Sequence, residues 1–260
     1  PKYDAIYDDP FWDFHDRITW SHLKNFLPKE ATGPVLDLGC GTGKWGLKLL
    51  KAGYPTTFAD LSAQMLDEVR KKLEEWKAAP DLAAKANRAI VQHADAADLH
   101  AFPRDHFHLI VAMGDIVSIC ADPPRAISEM HRLLVPGGTL VFTVDNALAA
   151  IDHFIDSGNL PAMASFIKSG KTEWLTRNVA ERFPVHMFTP SRIDALLRSK
   201  GFEVIGKIGK TIIPARRNKK LFDYPDAVET LIDLETRLHG EPTALARASH
   251  LQIAARKSAG

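Results

Sequence analysis

Asp37, Gly39, Gly41 and Gly43 lie in Val35-Leu-Asp-Leu-Gly-Cys-Gly-Thr-Gly43, where an apolar strand carrying a carboxylate runs straight into alternating glycines. Glycine has no Cβ, so such a turn can take positive φ and lets a ligand approach the main chain to hydrogen-bonding distance. The chemistry suited to these residue types at this spacing is backbone contact with a nucleotide-like ligand. Three later strand ends add further groups. Asp60 closes Thr56-Thr-Phe-Ala-Asp60, Asp95 and Ala96 follow Ile90 to Ala94, and Met113-Gly114-Asp115 ends a fourth apolar run.

Those residues act together only if the elements that carry them line up. Periodicity predicts strands at 34–39, 56–60, 89–92, 107–113 and 138–145, and helices at 43–52, 62–78 and 123–134. Such alternation argues for a parallel, doubly wound sheet, whose ligands bind at the carboxyl ends of the strands, where Gly39, Asp60, Asp95 and Gly114 converge. Pro136-Gly137-Gly138 reads as a helix stop ahead of the fifth strand. From 146 to 184 the pattern turns helical. A helix over Ser191 to Lys200 and a strand-like stretch over Phe202 to Ile213 then resume the core. The glycine turn itself leaves two readings open, because Gly41-Thr-Gly43-Lys-Trp-Gly46 also satisfies the G-x-G-x-x-G fingerprint of an NAD(P)-dependent oxidoreductase, with Asp60 at the ribose.

Taken in order, the glycine loop, Asp60, the Asp95-Ala96 pair and the Pro136-Gly137-Gly138 phrase resemble the class I S-adenosylmethionine-dependent methyltransferases. The resemblance is to the small-molecule branch near the ubiquinone/menaquinone-biosynthesis type, and it is clearest from Val35 to Asn146. It implies a Rossmann-like, mostly parallel seven-stranded α/β sheet with an antiparallel last strand, here Leu251 to Lys257. It also implies S-adenosylmethionine as cofactor, leaving as S-adenosylhomocysteine. On this resemblance Asp37 organises the loop and the cofactor amine, Gly39, Cys40, Gly41 and Gly43 form the loop, and Asp60 takes the ribose. Leu61, Met65, Asp95 and Ala96 then border the adenine, and Met113 and Gly114 sit between cofactor and acceptor. In the leader, Tyr3, Tyr7 and Arg17 are candidates for the cofactor's carboxylate. Plainer readings stand beside several of these: Cys40 as a small residue that fits, Met65 as core, Asp95 as a turn residue, Arg17 in a surface ion pair.

Methyl transfer is an in-line displacement at a carbon already activated by a sulfonium, so alignment and a dry pocket supply much of the catalysis. A hydroxyl acceptor calls for a general base, and Asp115, His153 and His186 are the candidates by position. A module that binds the cofactor without transferring its methyl group is a further rival.

The 260 residues, 45% of them apolar, suit a single domain over the whole chain. Its additions are a helical cap at 1–30 and lid or acceptor segments at 147–190 and 214–250. The last contains an amphipathic helix around Ala227 to Leu238 and the basic cluster Arg216 to Lys220, read as a solvated loop. The 33 Lys and Arg balance 32 Asp and Glu, leaving no basic field to recruit nucleic acid or an anionic membrane, so the expected partner is a small-molecule acceptor. Cys40 and Cys120 have neither disulfide nor metal spacing. With no charged-then-apolar leader and no apolar run of about 18 residues, the expectation is a cytoplasmic protein.

Overall fold

The computed structural model describes residues 7–31, 33–174 and 182–258. Tyr3 lies outside the described residues. Helix α1 (Pro10–Lys24) opens the chain, followed by β1 (Val35–Leu38), α2 (Lys44–Lys51), β2 (Thr56–Asp60), α3 (Ala63–Ala78), α4 (Ala83–Ala86), β3 (Ala89–His93) and β4 (Phe107–Ala112). Then come α5 (Ile116–Ile119), α6 (Pro123–Leu133), β5 (Leu134–Asp145), α7 (Ile151–Asp156), α8 (Leu160–Ser169), β6 (Lys171–Glu173) and β7 (Pro184–His186). The chain closes with α9 (Pro190–Ser199), β8 (Phe202–Lys210), α10 (Ala227–Leu238), α11 (Ala244–Arg247) and β9 (His250–Lys257).

Seven strands form one sheet in the order β3-β2-β1-β4-β5-β9-β8, and β6 pairs with β7 in a separate hairpin. Strands β3, β2, β1, β4 and β5 run parallel to their neighbours, and β9 is the antiparallel last strand. β1 is buried along its whole length, as befits a central strand covered by helices on both faces. Among the described residues no helix is long and apolar enough to cross a membrane.

The structure departs from the sequence expectation at three places. The fifth strand begins at Leu134, not at 138: Phe107 pairs with Leu134, the register then shifts, and Leu109 pairs with Thr139, with Gly137 at φ +77° in the slack. Pro136-Gly137-Gly138 is therefore an irregularity within a strand, as a bulge would be, and not the gap before one. The hairpin β6–β7 interrupts a stretch expected to be helical. And the leader supplies one helix among the described residues, α1, started by Asp9, whose carboxylate accepts from Phe11 N at 2.8 Å, with Pro10 in the first turn.

The chain divides into two compact units. One contains Phe26–Thr143, Ala195–Gly206 and Ile253–Gly260. The other contains Pro1–Asn25, Val144–Asp194 and Lys207–Gln252, so it gathers the leader and both added segments. Its core joins Phe11, Phe14 and Ile18 of α1 to Leu231 of α10 and to Ala215. A second cluster packs Phe154 of α7 on Phe166 of α8, with Val185 and Met187. Glu235 of α10 is fully buried and accepts from the amides of Ile212 (2.7 Å) and Ile213 (2.9 Å). Replacing it by alanine should lower stability by about 3 kcal/mol, because two buried donors lose their acceptor. A guanidinium denaturation midpoint that does not move would refute that assignment.

Candidate functional site

In the unit containing Phe26–Thr143, the parallel register places the ends of β1, β2 and β4 side by side: Leu38 lies opposite Ala59, and Asp37 opposite both Phe58 and Val111. The glycine turn leaves β1 and is held from both sides. Gly39 N (2.7 Å) and Cys40 N (3.0 Å) donate to the Ala59 carbonyl, and Gly43 N donates to the Cys40 carbonyl at 2.9 Å. Gly41 N donates to Asp60 Oδ2 at 2.8 Å, while Asp60 Oδ1 accepts from Ser62 N, also at 2.8 Å. Asp60 thus ties the turn to the end of β2, and Ser62 starts α3 by accepting from Met65 N.

The glycines have different jobs. A Cβ on Gly39 would fall 2.2 Å from Ile116 Cδ1, and one on Gly46 would fall 2.3 Å from Phe58 Cε1 and 2.7 Å from Asp37 Oδ2, so both are there for close packing. Gly41, at φ +53°, has no atom within 4 Å of its Cβ position. It is a backbone conformation that needs glycine, facing open space.

Asp37 is 1% exposed, and its Oδ2 accepts from Gly46 N at 2.7 Å in the first turn of α2. Burial pushes its carboxyl up to about 7, with the nearby charge of Asp60 adding to the rise against the hydrogen bond from Gly46. The folded protein therefore binds this proton more tightly than the unfolded chain does. The stability contributed by the group falls as pH rises from about 4 to about 7 and is flat outside that window. Asp37→Asn keeps an acceptor for Gly46 N and removes the ionisation, so the melting temperature of the cofactor-free variant should depend less on pH in that window than that of the parent. Identical pH profiles would show that Asp37 ionises freely.

The remaining expected residues fall as follows. Cys40 is buried and its thiol is pushed above its usual range, chiefly by burial, which makes it an inert filler. Leu61 is exposed and its carbonyl meets His93 Nε2 at 2.8 Å, while Met65 is half-buried. Asp95 is exposed, and its carboxylate accepts from Ala97 N at 2.8 Å, a turn role; Ala96 beside it is buried. Met113 is buried, Gly114 is exposed at φ +77°, and Asp115, at φ +61°, donates its amide to Thr143 Oγ1 at 3.0 Å.

The other candidates belong to the unit containing Val144–Asp194 and do not join this hydrogen-bonded set. Arg17 forms a two-pronged ion pair with Glu229 of α10 (Nη2 to Oε2 2.7 Å). His153 is exposed on α7 with its ring edge-on to Phe154, and His186 stands on β7 opposite Lys171. Missed from sequence was Glu235, whose bonds from the Ile212 and Ile213 amides join a strand end to a helix with no local motif to announce it.

This geometry decides what the turn can recognise. A pyrophosphate needs several unspent N–H donors. Here the amides of Gly39, Cys40, Gly41, Gly43 and Gly46 each donate to a protein acceptor. The carbonyl oxygens of the turn and the carboxylate of Asp60 suit a cation and hydroxyl groups.

Residues 35–138 match the family model described as "Methyltransferase domain". The chain is 26% identical to the tRNA 5-carboxymethoxyuridine methyltransferase of Escherichia coli (strain K12), over 97% of this chain and 91% of that one. It is 36% identical to a phosphatidylethanolamine N-methyltransferase of Cereibacter sphaeroides, over 61% of this chain and 69% of that one. Among solved structures, an S-adenosylmethionine-dependent methyltransferase of Methanosarcina mazei shares the fold with a TM-score of 0.62 at 22% identity, covering 92% of this chain and 97% of that one.

Proposed function

This chain belongs to the class I S-adenosylmethionine-dependent methyltransferases, and on that premise we propose that it methylates a small-molecule acceptor. S-adenosylmethionine supplies a methyl group already activated by its sulfonium. The residues present fit that cofactor: a turn whose Gly39, Cys40, Gly41 and Gly43 amides donate to protein acceptors, open space at the Cβ position of Gly41, and the carboxylates of Asp37 and Asp60. Each oxygen of Asp60 already accepts one backbone N–H and keeps a further lone pair, so the carboxylate can receive the ribose hydroxyls without releasing the turn. Leu61, Met65, Asp95 and Ala96 border the adenine, and Asp37 with the loop carbonyls faces the ammonium. The protein aligns the acceptor and excludes water, and where that acceptor is a hydroxyl, Asp115, His153 and His186 remain the candidates to take its proton.

One observation carries the small-molecule reading. Two residues of the basic cluster that would have to follow a polynucleotide are paired with carboxylates of the protein itself: Lys219 with Asp9 at 2.9 Å and Arg217 with Asp152 at 3.5 Å. Phosphate tracking needs such charges available. A second reading, methylation of a modified nucleoside in tRNA, is favoured by the near full-length similarity to the Escherichia coli enzyme.

The test is incubation with methyl-labelled S-adenosylmethionine and either a low-molecular-weight metabolite fraction or bulk tRNA. Label entering the metabolite fraction and none entering tRNA is expected. Nuclease-sensitive label in tRNA, with a binding affinity that falls steeply with salt, would overturn the small-molecule reading. Tight cofactor binding with no transfer to either pool would favour a non-catalytic module.

A further inference from the structure

Within the unit that contains α1 lies a cavity of about 250 Å³. Phe11, Trp12 and His15 of α1 form one wall, and Thr211, Arg216 and Arg217, from the segment after β8, form the other. No carboxylate lines it among the described residues. The guanidinium carbon of Arg216 sits 5.4 Å from the Trp12 ring centroid and 5.8 Å from that of Phe11. That cation–π contact holds the group in place while leaving its edge available, and among the described residues no protein acceptor takes its N–H donors. Asp9, nearby at the start of α1, is engaged by Lys219 and Phe11 N. Burial, and the neighbouring charge of Lys210 after it, bring His15 down to about 4, so it enters the cavity as a neutral ring.

Thr211 supplies an independent sign. It is β-branched, 3% exposed and held at φ +57°, a conformation such a residue adopts only where its surroundings impose it. Here Glu235 imposes it through the amides of Ile212 and Ile213. Backbone strain of this kind gathers at ligand clamps. The cavity volume falls just below the usual range for small-ligand pockets, roughly 300 to 1,000 Å³, so it suits one planar ring and its substituent and is too small for a polymer.

We propose that this cavity binds a small molecule by a carboxylate on a planar ring, with Arg216 as the clamp and Phe11 and Trp12 as the aromatic wall. Its test needs no methyl transfer. Benzoate, 4-hydroxybenzoate, indole-3-carboxylate and orotate, each beside its neutral carboxamide, are titrated into the full-length protein by ligand-observed NMR. At least one acid should bind about tenfold or more tightly than its amide, and Arg216→Gln should abolish that preference. The substitution is at an exposed side chain, and an unchanged melting temperature will show that the variant is folded. Absence of any preference for acid over amide across the panel, or a preference that survives Arg216→Gln, would overturn the proposal. Acid-selective binding together with label transferred only to tRNA would instead sink the small-molecule reading and leave the carboxylate clamp standing.

Discussion

Gly41→Val is expected to abolish binding of S-adenosylmethionine in a calorimetric titration while the protein remains folded. The Cβ position at Gly41 meets no atom within 4 Å, so valine collides with nothing in the protein. Its methyl groups would project into the open space that the ligand must enter. The substitution does carry a backbone penalty of about 1–2 kcal/mol, because φ is +53°. A matched variant separates that penalty from the loss of binding: Gly137 also has positive φ, +77°, and open space at its Cβ, yet lies in the irregularity of β5. Gly137→Val should therefore destabilise to a similar degree and bind normally. Retained affinity in Gly41→Val would mean that the ligand does not approach this turn closely. Gly39→Val is no substitute for the experiment, since its side chain would strike Ile116 and disturb the fold itself.

Asp60→Ala should weaken the affinity for S-adenosylhomocysteine by about 1–3 kcal/mol, roughly five- to 150-fold, as ribose hydroxyls and two backbone amides lose their acceptor together. The structure adds a component beyond ribose contact, for Asp60 is also what fastens Gly41 N to the end of β2. Asp60→Asn keeps one acceptor oxygen and should fall between the parent and the alanine variant. If both variants bind like the parent, the ribose assignment is wrong. If both lose affinity and melt at much lower temperature, the role of Asp60 is confined to holding the turn.

The parallel half of the sheet was legible because its signals are local. Apolar runs of strand length, a carboxylate at each end and the glycine turn all fall within a few residues of one another, and β1, β2, β3 and β4 lie within one or two residues of their predicted bounds. What escaped depends on partners distant in sequence. The first residues of β5 become strand only because Phe107 pairs with Leu134. The hairpin β6–β7 is two three-residue strands with no periodicity to read. Arg17 and Glu229 are 212 positions apart, so the ion pair that occupies Arg17 has no trace along the chain. The cluster Arg216 to Lys220 reads as a solvated loop until α1 brings Phe11, Trp12 and Asp9 against it.

The bonded amides of the glycine turn have a consequence for competition inside a cell. ATP carries the same adenosine and would satisfy Asp60 equally well, but its triphosphate would meet carbonyl oxygens and carboxylates in place of N–H donors. Rejection of the nucleotide is thus built into the bonding of the turn, by main-chain carbonyls at Gly39, Cys40 and Gly43 and by the carboxylates of Asp60 and Asp37 at Gly41 and Gly46. Replacing Asp60 or Asp37 should therefore weaken that discrimination, because it releases the Gly41 or the Gly46 amide.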